Sequence, residues 1–302
     1  MPDRPPNVRW LNAKNIRKAS KIAGAVVMLV FLAGCAAVIG FQNEFVFPNA
    51  AEGPMDRRPP PGAIQHWRHT PEGDKVEGWL FLPPGASATR QAPAVIFFHG
   101  NSDFIEHRLE YPEFYNAQGV AVLLVEYRGY RRSTGEPSEA AFAADADAFF
   151  DWLATRPEID TTRIAAHGHS MGAAVAAGLA TRRPLRALVM VSAFKSLPDL
   201  FGRFGVPPVL AHEKFDNMAA VAAYKGPILL VHGNADEIVP YSHVLALAKA
   251  AKGRAETISY PRVDHDVPWN WDLFAADLTR FYSRVGMTAP PPPRGGVSVS
   301  AP

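Results

Sequence analysis

The chain has 302 residues, of which 48% are hydrophobic and 20% charged, and its formal net charge is +2. That much apolar material excludes a wholly disordered chain and a disulfide-stapled mini-protein, and it fits one large globular domain with appendages. The small charge and the scatter of basic residues exclude a nucleic-acid binder. A single cysteine, Cys35, provides neither a disulfide framework nor a cysteine-based zinc site, and the ten histidines show no ligand spacing, so no metal or cofactor is expected.

Residues 1–21 are polar and basic, with Arg9, Lys14, Arg17, Lys18 and Lys21. Residues 22–43 carry no charge and are almost wholly apolar to Phe41. A helix of about 20 such residues crosses the roughly 30 Å hydrocarbon layer, so the segment reads as a membrane anchor. A second reading stays open: Leu32-Ala33-Gly34-Cys35 resembles a bacterial lipobox, which would make Cys35 the lipidated first residue of a mature chain. The apolar run continues beyond Cys35, further than a signal sequence needs. Both readings tether the protein to a membrane. The basic flank precedes the run and Glu44 is the first charge after it, so the domain is expected on the non-cytoplasmic side, periplasmic in a bacterium. Residues 44–65 read as a linker stiffened by Pro59-Pro60-Pro61-Gly62, residues 66–285 as the domain, and residues 286–302 as a disordered Pro-rich tail.

Within the domain, short apolar runs alternate with helical patterns. Strands are expected at 76–82, 94–98, 120–125, 163–166, 187–191, 227–231 and 256–260. Helices are expected at 107–118, 139–155, 171–181, 243–251 and 269–282. Uninterrupted apolar strands separated by helices predict an α/β fold: a mostly parallel sheet covered on both faces, with functional loops at the carboxyl ends of the strands.

One motif carries chemistry. Gly168-His169-Ser170-Met171-Gly172 is a complete G-x-S-x-G placed between a strand and a helix, the context in which such a turn exposes a serine hydroxyl above a sheet. A serine needs a base to take its proton and an acid to orient that base, in the chain order Ser, Asp or Glu, His. Asp236 follows the strand at 227–231, and His265 lies between the last strand and the last helix. Ser170, Asp236 and His265 therefore form the expected catalytic set. The oxyanion of a tetrahedral intermediate is expected to meet the backbone N–H groups of Met171 and Asn101. Asp264 and Asp266 flank His265 but cannot easily reach back to orient its ring, so they are expected to act on it only as nearby charges. His99 is expected to be structural, and His169 reads as the variable position of the turn.

These features together resemble the α/β-hydrolase superfamily and, within it, the membrane-anchored Bem46-like serine hydrolases. The resemblance runs from about Phe41 to Tyr282. It rests on Phe45-Val46-Phe47-Pro48, Phe97-Phe98-His99-Gly100-Asn101, Val125-Glu126-Tyr127-Arg128-Gly129-Tyr130, Ser133, Gly135-Glu136-Pro137-Ser138, the serine turn and the Asp236 loop. Two places depart from it: Ser102-Asp103-Phe104 stands where small residues are usual, and Asp264 where a glycine often precedes the histidine. The resemblance implies an α/β-hydrolase fold with a small lid near 200–204 and a structural role for Arg128 in holding loops together. It also implies cleavage of carboxylic esters or thioesters, of small molecules or lipids, through an acyl-enzyme and without a cofactor. A serine peptidase of the proline-aminopeptidase type shares the fold but usually carries a larger helical cap than the segment between Val191 and Ile228. A non-catalytic scaffold is the third reading. Oligomeric state and acyl-chain length are not legible.

Overall fold

The structure, a computed structural model, describes residues 13–51, 58–203, 205–267 and 270–289. It opens on a long helix, α1 (Ala13–Val46), and a 3-10 turn at Pro48–Ala51. Then come β1 (Ala63–His69), β2 (Lys75–Phe81), β3 (Ala92–Phe98), α2 (Glu110–Ala117), β4 (Ala121–Val125), α3 (Glu139–Ala154) and β5 (Ile159–His169). The remainder is α4 (Met171–Arg182), β6 (Leu188–Val191), α5 (Leu197–Arg203), α6 (Asn217–Ala223), β7 (Ile228–Gly233), α7 (Ser242–Ala250), β8 (Ala255–Tyr260) and α8 (Trp271–Arg284).

Among the described residues eight strands form one sheet in the order β1-β2-β4-β3-β5-β6-β7-β8. Only β1–β2 and β2–β4 pair antiparallel; the other five pairings are parallel. Parallel neighbours require crossovers, and the helices between them cover both faces. All seven residues of β3 are buried for that reason. Their side chains alternate between two cores. Ile96 and Phe98 join Phe142, Phe149 and Val175 of α3 and α4, while Val95 and Phe97 join Tyr111, Tyr115 and Phe274 of α2 and α8. The α/β-hydrolase architecture expected from the sequence, with its mostly parallel sheet and an N-terminal apolar helix, is the one observed.

Several boundaries shift for local reasons. α2 starts at Glu110 rather than 107, because Pro112 lacks an N–H and is tolerated only in a first turn; a 3-10 turn at Ile105–His107 precedes it. α8 starts at Trp271, since the Asn270 side chain accepts the N–H of Leu273 (3.0 Å) and caps the helix there. The helix start expected at 269 falls on a residue outside those described, as do Phe204 of the expected lid and residues 290–302 of the expected tail. β1 has no counterpart among the expected strands. It is half-buried, at the sheet edge, and its first three residues lie in the stretch expected as a linker.

That linker is corrected at its other end too. Ile16–Ala37 of α1, with mean hydropathy 2.0 and none of it buried, is long and apolar enough to cross a membrane. The last turns of the helix behave differently. Gln42 is buried; its Nε2–H donates to the carbonyl of Leu210 (3.4 Å) and its Oε1 accepts the N–H of His212 (2.8 Å). Val46 and Phe47 are buried, with Phe47 edge-on to Phe142 at 5.3 Å. Residues 44–47 therefore belong to the fold, not to a spacer. Packing also continues past 285, since Met287 is buried and its N–H donates to the carbonyl of Tyr282 (2.8 Å).

Candidate active site

β5 ends at His169, α4 begins at Met171, and the single residue between them turns the chain. Ser170 holds φ 54° and ψ −116°, a conformation costly for an L-residue and typical of strained functional turns. The flanking glycines make it possible. A Cβ on Gly168 would strike the carbonyl of Gly172, and one on Gly172 the carbonyl oxygens of Phe98 and His99. The close approach of α4 to β3 thus depends on both.

Three side chains from separate strand ends meet at this turn. Asp236 Oδ2 lies 2.8 Å from His265 Nδ1, and His265 Nε2 lies 2.9 Å from Ser170 Oγ. A carboxylate only accepts, so Nδ1 carries the ring proton and donates to Asp236. Nε2 of the neutral ring then accepts from the serine hydroxyl. Burial pushes the Asp236 pKa up, but hydrogen bonds from His232 and His265, with the N–H of Val239, outweigh it and hold the carboxyl well below its usual range. His232 Nε2–H faces both Asp236 Oδ2 (3.2 Å) and the carbonyl of Val239 (2.8 Å). Oδ1 accepts the N–H groups of Ile238 (2.9 Å) and Val239 (2.7 Å).

The backbone of His265 is clamped on both sides. Its carbonyl accepts from the Ser192 hydroxyl (2.8 Å) and from His169 Nε2–H (3.3 Å). Its N–H donates to Asp264 Oδ1 (2.7 Å), which also accepts the N–H of Glu237 (3.1 Å). Asp264 therefore ties the histidine loop to the Asp236 loop instead of serving only as a nearby charge. Asp266 lines the cavity above Ser170. His169 is more than a variable position. Burial, reinforced by His265, lowers its pKa to about 3, so it stands beside the site as a neutral ring.

Met171 and Asn101 both line the same cavity as Ser170. Met171 is the first residue of α4, where backbone N–H groups have no partner within the helix. Asn101 is held in place by its neighbours. The Tyr130 hydroxyl donates to its carbonyl (2.9 Å), and its own Nδ2–H donates to the carbonyl of Val46 (3.3 Å). One residue earlier but one, the His99 carbonyl accepts from the Tyr127 hydroxyl (2.7 Å). His99 is fully buried, with Nε2 2.7 Å from Glu126 Oε1 and Nδ1 2.8 Å from the carbonyl of Gly100. Both partners accept, so both ring nitrogens donate and the ring is an imidazolium. Burial works against that charge, and the Glu126 carboxylate more than offsets it, raising the His99 pKa. Arg128 forks onto Asp145 at 2.8 and 3.0 Å, away from the cavity, the structural role expected of it.

The cavity has a volume of about 800 Å³. Phe45 and Val46 of α1, Leu200 and Phe201 of α5, Val206 and Ile238 give it an apolar wall. Of the three unusual residues after Asn101, Ser102 and Asp103 reach the cavity, Asp103 paired with Arg108. Phe104 instead turns into the core beneath the Arg131 guanidinium, 3.3 Å from its ring centre. Sequence reading missed His232, Ser192 and the α1 wall. The first two had a usable signal, a polar residue at the buried end of an apolar strand; the third had none.

Residues 95–218 match the Alpha/beta hydrolase family. An uncharacterized protein of Mycobacterium tuberculosis is 34% identical over 249 residues, covering 81% of this chain and 87% of its own. Protein bem46 of Schizosaccharomyces pombe is 28% identical over 271 residues, covering 83% and 88%. Among solved structures, the apo form of Thermogutta terrifontis esterase 2 superimposes with a TM-score of 0.64 at 20% identity, over 78% of this chain and 100% of that one.

Proposed function

The chain belongs to the α/β-hydrolase family, as a Bem46-like member, and from that premise we propose that it is a membrane-tethered serine hydrolase cleaving carboxylic esters or thioesters. The observation that carries this reading is the unbroken hydrogen-bond chain Asp236–His265–Ser170 at the floor of an apolar cavity. As Ser170 Oγ attacks the substrate carbonyl carbon, Nε2 of His265 takes its proton, and Asp236 stabilises the imidazolium that forms. The carbonyl oxygen becomes an oxyanion held by the N–H groups of Met171 and Asn101. Collapse breaks the bond to the alcohol or thiol, which leaves with the proton from His265, and an acyl ester remains on Ser170. Water, deprotonated by the same imidazole, releases the acid by the same route. No step calls for a cofactor.

An esterase is also what the solved neighbour is named, in line with this reading. The lid favours esters over peptides: only α5, a 3-10 turn at Pro208–Leu210 and α6 separate β6 from β7. α1 is read as an uncleaved anchor, because the helix runs without a break through Cys35 and its far end is docked on the domain. A fluorophosphonate probe tests the chemistry. Ser170 is expected to be labelled in folded protein, with labelling and ester turnover both lost in Ser170→Ala; a folded protein unlabelled at Ser170 would leave a non-catalytic scaffold as the better account. Graded p-nitrophenyl and thioester substrates then separate ester from thioester preference.

A further inference from the structure

The cavity has a wall that the chemistry does not require. Phe45 and Val46, from the end of the apolar N-terminal helix, line it together with Phe201 and Val206 of the lid and Ile238 of the Asp236 loop. The helix is fixed there, not resting there, since Gln42 is buried and bonded at both ends of its amide to the segment at 210–212. Around this mouth large apolar side chains face outward from three separate segments: Phe45 is 72% exposed, Val209 83% and Ile238 54%. Arg203 of α5 donates to the carbonyl of Ile238 (3.1 Å), which keeps lid and loop together as one rim. Exposed apolar residues rimming a cavity in this way favour an interaction site.

The same helix says what meets it. The membrane-length stretch ends at Ala37, and Phe45 is eight residues further on, about 12 Å along the axis at 1.5 Å per residue. Headgroups add roughly 5–8 Å on each side of the hydrocarbon core. Phe45 therefore lies about one helical turn outside the headgroup layer. We propose that the cavity opens onto the bilayer that α1 spans, and that its substrate is a long-chain lipid ester resident in that same bilayer. This rests on the serine-hydrolase reading and names its substrate class. A long acyl chain lifted from the bilayer has about one helical turn to cross before it meets Phe45 and the wall formed by Phe201 and Val206. The ester carbonyl then stops at Ser170, beside the polar groups of Asp103, Arg108 and Asp266. A volume of about 800 Å³ lies toward the upper end of the roughly 300–1,000 Å³ range of small-molecule sites, room that a short acyl group would leave largely empty.

The test uses the full chain reconstituted in phosphatidylcholine vesicles. 4-Methylumbelliferyl oleate is supplied either in the same vesicles or in separate ones at equal bulk concentration, and 4-methylumbelliferyl butyrate is supplied in water. Oleate turnover is expected to be at least tenfold faster when ester and enzyme share a vesicle. Phe45→Glu, at a position that is mostly exposed, is expected to lower the oleate-to-butyrate ratio of kcat/KM at least tenfold. Equal oleate rates in the two arrangements, or no oleate turnover by protein whose Ser170 takes the fluorophosphonate label, overturns the inference and leaves the hydrolase reading standing. An unlabelled Ser170 with neither ester cleaved defeats the hydrolase reading itself.

Discussion

Three carboxylates surround His265, and geometry separates their roles. Asp236 alone reaches the ring, at Nδ1, while Asp264 holds the main chain and Asp266 faces the cavity. Asp236→Asn keeps the shape but presents a donor to a donor, which disturbs the tautomer that leaves Nε2 free to accept. A loss of about 10³–10⁴ in kcat is expected with folding retained, from the general behaviour of such triads. Asp264→Ala releases the N–H groups of Glu237 and His265 without touching the ring. Its kcat is expected to fall by only about tenfold, with about 0.5–1.5 kcal/mol of stability lost, because water reaches the freed donors. Steady-state kinetics and urea unfolding of the two variants check this; a dead Asp264→Ala with a near-normal Asp236→Asn reverses the assignment. That Ser170, Asp236 and His265 come together was legible in the sequence, because each follows an apolar strand; that they are catalytic is the proposal. Ser192 and His232 carried a signal as polar residues at buried strand ends, but their partners were not legible, because one lies 73 residues away and the other depends on the curl of a loop.

At the scale of elements, the loops after β3 and β4 are joined by the buried His99–Glu126 pair. Glu126 also accepts the N–H of Tyr127 (3.0 Å), and His99 precedes Gly100 and Asn101 at the cavity. The folded-state pKa of His99 is raised. The stabilisation from its charge is therefore complete below the unfolded value near 6.5 and is lost as pH rises through the higher folded value. Breaking such a pair by Glu126→Gln is expected to cost about 3–5 kcal/mol at pH 6. Urea midpoints measured from pH 5.5 to 9 are expected to show the gap between wild type and variant narrowing toward alkaline pH; a gap that stays constant removes the charged pair from the account. Element types in the central sheet were legible because buried parallel strands are apolar throughout. β1 was not: AIQHWRH mixes polar and apolar residues, as an edge strand with one wet side does, and the prolines before it look like a spacer.

At the scale of the whole molecule, we propose that the charge asymmetry around α1 places the domain on the non-cytoplasmic side. Lys14, Arg17, Lys18 and Lys21 precede the apolar stretch, and positive residues stay cytoplasmic. An alkaline-phosphatase fusion beyond Ala289 is expected to be active in a bacterial host, and an active cytoplasmic reporter at the same point reverses the topology. The composition of residues 22–43 made an apolar helix of membrane-crossing length legible. It could not reveal that Gln42 is buried, because the contact with residues 210–212 exists only once the lid has folded.

That contact bears on how such a protein can be recombined. Gln42, Phe45 and Val46 are simultaneously the end of the apolar helix and a side of the cavity, so the two cannot be inherited separately. A chimaera that takes its N-terminal helix from another protein keeps an intact chamber only if the junction falls before Gln42. A soluble version that begins at the strands has a different chamber, missing Phe45 and Val46 from its wall. Substrate profiles measured on such a fragment therefore describe a different site from that of the full chain.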